Sequence, residues 1–66
     1  MEKTGIIYGI NGPIVYLEGD PGFRMNEMVY VGEQRLVGEV IGLTKDRTTI
    51  QVYEETSGIR PGQEVK

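Results

Sequence analysis

Residues 50–62, with the sequence IQVYEETSGIRPG, hold the side chains of this chain that are best suited to chemistry. Two carboxylates, Glu54 and Glu55, are followed by the hydroxyls of Thr56 and Ser57. Carboxylates and hydroxyls together can bind a divalent metal ion or support acid–base catalysis. However, neighbouring residues of a strand point to opposite faces of a sheet, so we do not expect the two carboxylates to converge. The default interpretation is therefore the polar end of a strand, followed by a turn.

The rest of the composition offers these side chains few catalytic partners. The chain contains no histidine and no cysteine, which removes the usual general base, the usual metal ligands and any disulfide. The glycine-containing segment of residues 58–63 (GIRPGQ) lacks the lysine and hydroxyl of a phosphate-binding loop. We therefore predict no catalytic, cofactor-binding or metal-binding residue in this chain.

The charge distribution argues against binding to nucleic acids or insertion into membranes. Seven basic residues are scattered among ten acidic ones, for a formal net charge of −3, whereas nucleic-acid binders usually carry a basic stripe. No apolar run is long enough to cross a bilayer as a helix. The N-terminal sequence MEKTG does not have the pattern of a secretory signal. The simplest interpretation is a soluble intracellular chain.

The elements that must position these residues are short strands. The chain has ten glycines, many valines, isoleucines and threonines, and turn residues at intervals of about ten, which is typical of β structure. A small antiparallel β-barrel of six strands, closed or nearly closed, fits this pattern. The predicted strands are residues 4–10, 14–18, 27–31, 36–43, 48–54 and 64–66.

Three further features refine the predicted barrel. Gly38 and Gly42 lie in one strand and predict a bulge or bend there. The adjacent apolar pairs Ile6-Ile7 and Val40-Ile41 predict that one member of each pair faces outwards. The last strand has few residues, so we expect it to leave an open sheet edge at which a second copy of the chain could pair.

An alternative function is that of a nucleic-acid-binding barrel of the OB or SH3-like kind. Four tyrosines and Phe23 could form a stacking platform for single-stranded bases. The competing interpretation is that the aromatic rings close a small barrel while the tyrosine hydroxyls stay hydrated.

Several segments of the chain resemble the N-terminal segment of the catalytic A subunit of V-type and archaeal A-type ATPases (ATP synthases). They occur in the same order and spacing as in that family, and IQVYEETSG closely followed by PG is the most specific of them. The matching segments are GII at residues 5–7, INGPIV at 10–15, MVYVG at 28–32, LVGEVI at 36–41, IQVYEETSG at 50–58 and PG at 61–62.

The resemblance implies a six-stranded β-barrel, residues 1–66, excised from a longer subunit. In the family such barrels form a crown far from the membrane, in a ring where A and B subunits alternate. ATP and Mg²⁺ are bound by a later domain, whose phosphate loop, lysine and catalytic glutamate have no counterpart here. The implied partners are therefore neighbouring B subunits, with no direct membrane contact and with a cytoplasmic location peripheral to the membrane. Candidate interface residues are Tyr53, Glu54, Glu55, Thr56 and Ser57.

Overall fold

The computed structural model describes residues 3–66 and consists of six β-strands without a helix. All neighbouring strands are antiparallel, and they close into a barrel in the order β1-β2-β5-β4-β3-β6. The predicted fold class is thus confirmed. The strands are β1 (Gly5–Asn11), β2 (Ile14–Glu18), β3 (Met28–Val31), β4 (Leu36–Leu43), β5 (Arg47–Val52) and β6 (Glu64–Val65).

The barrel interior is filled by every second residue of the strands. In β5, for example, Thr48, Ile50 and Val52 are buried while the residues between them face outwards. This alternation follows from the strand geometry, in which successive side chains point to opposite faces. The apolar core consists of Ile7, Val15, Leu17, Phe23, Val29, Val31, Val40, Ile50, Val52, Ile59 and Val65.

Two loops complete the core, because each contributes one buried apolar side chain. Phe23 comes from the loop between β2 and β3, and Ile59 comes from the loop between β5 and β6. The first loop is also fixed by the fully buried Thr48, whose hydroxyl donates a hydrogen bond of 2.8 Å to the carbonyl oxygen of Gly19. Both loops are thereby packed onto the barrel.

The predicted bulge and outward-facing residues are confirmed. The register between β4 and β5 shifts at Ile41, between the pairs formed by Val40 and Gly42. Ile41 is 40% exposed beside the fully buried Val40, and Ile6 is 48% exposed beside Ile7 at 1%. A bulge adds one residue to a strand, so it changes the face to which the following side chains point.

The structure corrects the predicted ends of three strands. The first begins at Gly5 and the third at Met28, one residue later than predicted in each case, and the fifth ends at Val52 instead of Glu54. The fifth strand ends early because its partner does: Gln51 pairs with Ile14, the first residue of β2. Glu54 and Glu55 therefore lie outside the strand, so strand alternation does not decide where they point.

The prediction of an open sheet edge at the last strand is wrong. Val65 pairs with Gly5 of β1 on one side and with Val31 of β3 on the other. The backbones of Tyr30 and Lys66 exchange hydrogen bonds of 2.8 and 2.9 Å. Two residues in β6 are sufficient because β1 and β3 approach each other closely at this point, so a short strand bridges them. The physical basis for self-association at this edge is thereby removed.

Candidate interaction surface

The segment that follows β5 is held against the barrel by its own polar groups. Tyr53 donates its backbone N–H to the carbonyl oxygen of Val37 at 3.0 Å, and one Glu54 carboxylate oxygen accepts the N–H of Val37 at 2.9 Å. The hydroxyl of Thr56 donates to the carbonyl oxygen of Gly12 at 2.9 Å. These bonds connect the segment to β4 on one side and to the β1–β2 turn on the other.

The five candidate interface residues thus have different environments. Tyr53, Glu54 and Thr56 are anchored to the barrel through hydrogen bonds, and the Tyr53 side chain is still 58% exposed. Glu55 and Ser57 are exposed on the same segment. Since Glu54 and Thr56 use their polar atoms to order the loop, their interface role stays a prediction.

Glu39 forms a polar cluster with Tyr53 that the sequence did not reveal. Its carboxylate accepts one hydrogen bond from the Tyr53 hydroxyl and another of 3.0 Å from the amide nitrogen of Asn26. The Tyr53 bond, followed by the Asn26 bond, lowers the pKa of Glu39 below its usual value of 4.5. The same contact with Glu39 raises the pKa of Tyr53 above its usual value of 10.0. A carboxylate stabilised in this way is a weak base, so the cluster is suited to structure more than to proton transfer.

A second carboxylate, Glu27, has a comparable role in the β2–β3 loop. It accepts the backbone N–H of Arg24 at 2.8 Å and forms an ion pair with Lys3 at 3.2 Å. The Arg24 hydrogen bond, followed by that of Lys3, lowers the pKa of Glu27. Both partners of the ion pair are about one-third exposed, so water screens the attraction and we expect a small contribution to stability.

Within residues 3–66, the acidic side chains do not form a group of three that could hold a metal ion. A divalent cation is usually bound by several oxygen ligands, and Mg²⁺ in particular requires near-octahedral geometry. No helix among these residues is long and apolar enough to cross a membrane.

The aromatic side chains do not gather into one stacking platform. Phe23 is 5% exposed and belongs to the core. Tyr8 and Tyr16 lie next to each other on β1 and β2, with ring centroids 6.2 Å apart, whereas Tyr30 belongs to β3 and Tyr53 follows β5. The stacking surface that motivated the nucleic-acid alternative is therefore smaller than the sequence predicted.

The fold and these contacts define a small closed antiparallel barrel whose polar groups mainly order its own loops. The chain belongs to the ATP synthase alpha/beta family, and residues 7–66 match the beta-barrel domain of that family. This agrees with the resemblance deduced from the sequence.

Individual relatives extend this assignment. The chain is 54% identical over 98% of its length to the V-type ATP synthase alpha chain of Halothermothrix orenii, of which it covers 11%. It is 55% identical over 97% of its length to an A-type ATP synthase A chain of Methanospirillum hungatei, again covering 11% of that protein. Over its full length it is 50% identical to the A-type ATP synthase A chain of Haloferax volcanii. The chain thus spans about a tenth of the length of these relatives.

Proposed function

We propose that this chain is the N-terminal barrel of the catalytic A subunit of a V/A-type ATP synthase, and that it serves assembly. In this role it holds alternating A and B subunits in a ring while the nucleotide-binding parts of the subunits change conformation. Its partners are the neighbouring B subunits. The parent complex couples ATP synthesis or hydrolysis to the transport of protons or sodium ions.

One observation carries the proposal: the similarity to V-type and A-type subunits extends over nearly the whole chain but over only 11% of each relative. The shared part is a separate barrel with its own core, which is the structure expected of a domain that a larger subunit uses as a module. The description of the matching family segment as a beta-barrel domain supports the same interpretation.

The proposed division of labour assigns the chemistry to the rest of the parent protein. ATP and Mg²⁺ act there, and the barrel requires no cofactor of its own. The absence of histidine and cysteine and the self-contained hydrogen bonds of the acidic residues support this assignment. The complex would be cytoplasmic and peripheral to the membrane, with the barrel away from the bilayer.

A weak contact at each barrel is sufficient for this function. In a closed ring every subunit is held at two sides, so several modest contacts act together and the ring survives at concentrations where one contact would dissociate. Such a barrel must be rigid, since a flexible contact surface loses free energy when it becomes ordered on binding. The two loops packed into the core provide this rigidity.

The test is to delete residues 1–66 from the full-length protein and to assemble the shortened form with its partner subunits. We expect the ring to dissociate at a protein concentration at least about tenfold higher than the intact ring, as measured by native mass spectrometry during dilution. Retained nucleotide binding by the shortened protein serves as the folding control. A shortened protein that assembles and survives dilution as well as the intact one would contradict the proposal.

A further inference from the structure

Strand β3 carries apolar side chains on both of its faces. Val29 and Val31 are buried in the core at 1% and 0% exposure, whereas Met28 and Tyr30 point outwards and are 65% and 45% exposed. An antiparallel strand with one hydrated face normally alternates between apolar and polar residues. The outer surface of β3 therefore has the composition of a covered face.

Strand β5 provides the internal comparison. Its outward-facing residues are Arg47, Thr49 and Gln51, all of them polar, while its inward-facing residues belong to the interior. The barrel can thus keep a polar exterior on one strand, and the apolar exterior of β3 is a local property.

The apolar surface continues from β3 onto its neighbours. Tyr30 lies opposite Val37 of β4, and Met28 lies opposite Glu39, whose carboxylate binds the hydroxyl of the exposed Tyr53. We call the four side chains Met28, Tyr30, Val37 and Tyr53 the β3 face. Three of them are large exposed hydrophobic or aromatic residues, the types that are enriched in protein–protein interfaces.

The charged groups around the β3 face interact with groups of the same chain. Glu39 accepts two side-chain hydrogen bonds, and the guanidinium carbon of Arg35 lies 5.6 Å from the centroid of the Tyr30 ring. Lys66 lies 3.7 Å from a carboxylate oxygen of Glu64. Because these charges are balanced locally, the face is electrically suited to an apolar, uncharged surface and not to a polyanion.

A groove of about 510 Å³ adjoins the β3 face and shares Tyr30 with it. Gly32 and Arg35 border it from the β3–β4 turn, and Gln63 lines it from the segment that enters β6. The side-chain oxygen of Gln63 is buried and has no hydrogen-bond partner among residues 3–66. A buried acceptor without a donor is unfavourable, so a binding partner that supplies an N–H or O–H group here would gain free energy.

We propose that the β3 face and the adjoining groove form the surface on which a neighbouring ring subunit of different sequence packs. The matching surface of that neighbour is apolar and uncharged and donates at least one hydrogen bond to Gln63. A second copy of this chain is a poorer partner because two copies, each with a formal net charge of −3, repel each other. The inference rests on the proposed assembly function and adds the location and chemistry of the contact.

The experiment replaces Met28 and Tyr30 together by threonine in the full-length protein. Threonine is polar and favours strands, and both side chains are exposed, so we expect the barrel itself to fold. Dilution of the assembled ring should then show an increase of about tenfold or more in the concentration at which it dissociates. The matched control is Ile41→Thr, which changes a 40%-exposed aliphatic residue outside the β3 face and should shift this concentration by less than about twofold.

A second measurement does not depend on how well the double variant folds. A photoreactive amino acid at position 28 of the assembled complex should cross-link to a subunit of different sequence, whereas the same group at position 41 should not. Cross-links that join two copies of this chain, or equal cross-linking from both positions, would overturn the inference.

Comparison with the barrel deletion separates this inference from the proposed function. If the deletion weakens the ring but Met28→Thr/Tyr30→Thr does not, the assembly function holds and the location of the contact is wrong. If Ile41→Thr weakens the ring as much as the double variant does, the location is also wrong. If the deletion itself has no effect, the proposed function fails, and the inference that rests on it fails too.

Discussion

At the residue scale, the contact between Glu39 and Tyr53 links the stability of the barrel to pH. In the folded state the Tyr53 hydrogen bond lowers the pKa of Glu39 below 4.5, and the same bond raises the pKa of Tyr53 above 10.0. The Glu39 contribution is present above pH 4.5 and is lost as the pH falls through the lowered pKa. The Tyr53 contribution is present below pH 10 and is lost as the pH rises through the raised pKa.

We therefore predict that Tyr53→Phe reduces the pH dependence of stability at both ends. The midpoint of thermal unfolding should fall less steeply below pH 4.5 and above pH 10 than it does in the unchanged chain, because the shared hydrogen bond is absent. Circular dichroism from about pH 3 to about pH 11 would measure this, with Tyr8→Phe as the control for removing another exposed tyrosine hydroxyl. Parallel profiles for the unchanged chain and Tyr53→Phe would contradict the assignment.

The residue-scale predictions from sequence were accurate where the strand period decides the outcome. The inward positions of Ile7 and Val40 followed from alternation alone. The partnership of Glu39 and Tyr53 did not, because it depends on where β5 ends and on the register of β4, and neither is encoded locally. The sequence instead emphasised the adjacent pair Glu54 and Glu55, of which Glu54 accepts a backbone hydrogen bond from β4.

At the scale of elements, the barrel is closed by its shortest strand. Val65 of β6 is fully buried and pairs with both β1 and β3, and Lys66 extends the hydrogen bonding to Tyr30. Many contacts thus depend on very few residues. Without them, β1 and β3 become unpaired edges, and such edges readily pair with other chains.

Deletion of residues 64–66 should consequently destabilise the barrel by about 3 kcal/mol or more, since it removes a buried valine and several backbone hydrogen bonds. Urea unfolding measures the loss, and sedimentation should show concentration-dependent association of the shortened chain. Lys66→Ala is the matched control, because it keeps the backbone of the bridging strand. A shortened chain that remains as stable and monomeric as this control would show that β6 does not hold the barrel closed.

The strands themselves were largely predictable, because turn residues and alternation mark them locally. The turn at Gly12 and Pro13 and the bulge at Ile41 illustrate this. Strand ends were less predictable, since a strand ends where its partner does, and the partner of β5 is decided by the barrel order. Closure by β6 was missed for the same reason: two residues carry too little periodicity to show that they bridge distant strands.

At the scale of the whole molecule, the chain combines a self-sufficient interior with one apolar part of its exterior. The interior draws on all six strands and two loops, and no disulfide can contribute because cysteine is absent. A small core gives a domain only modest stability, and contact with a neighbour adds to it by mass action. The barrel and its ring would therefore stabilise each other, which fits a module that acts through contact.

The final prediction separates this role from a nucleotide-binding one. The isolated chain has no phosphate-loop sequence, and residues 3–66 provide no group of three acidic ligands for a metal ion. Isothermal titration of the isolated chain with ATP and Mg²⁺ should therefore show no saturable heat at micromolar concentrations, because several convergent donors and a coordinated cation are needed to hold a triphosphate. The full-length protein titrated in the same buffer is the positive control. Saturable binding by the isolated chain would mean that the barrel holds nucleotide itself, and its assignment to assembly alone would then be wrong.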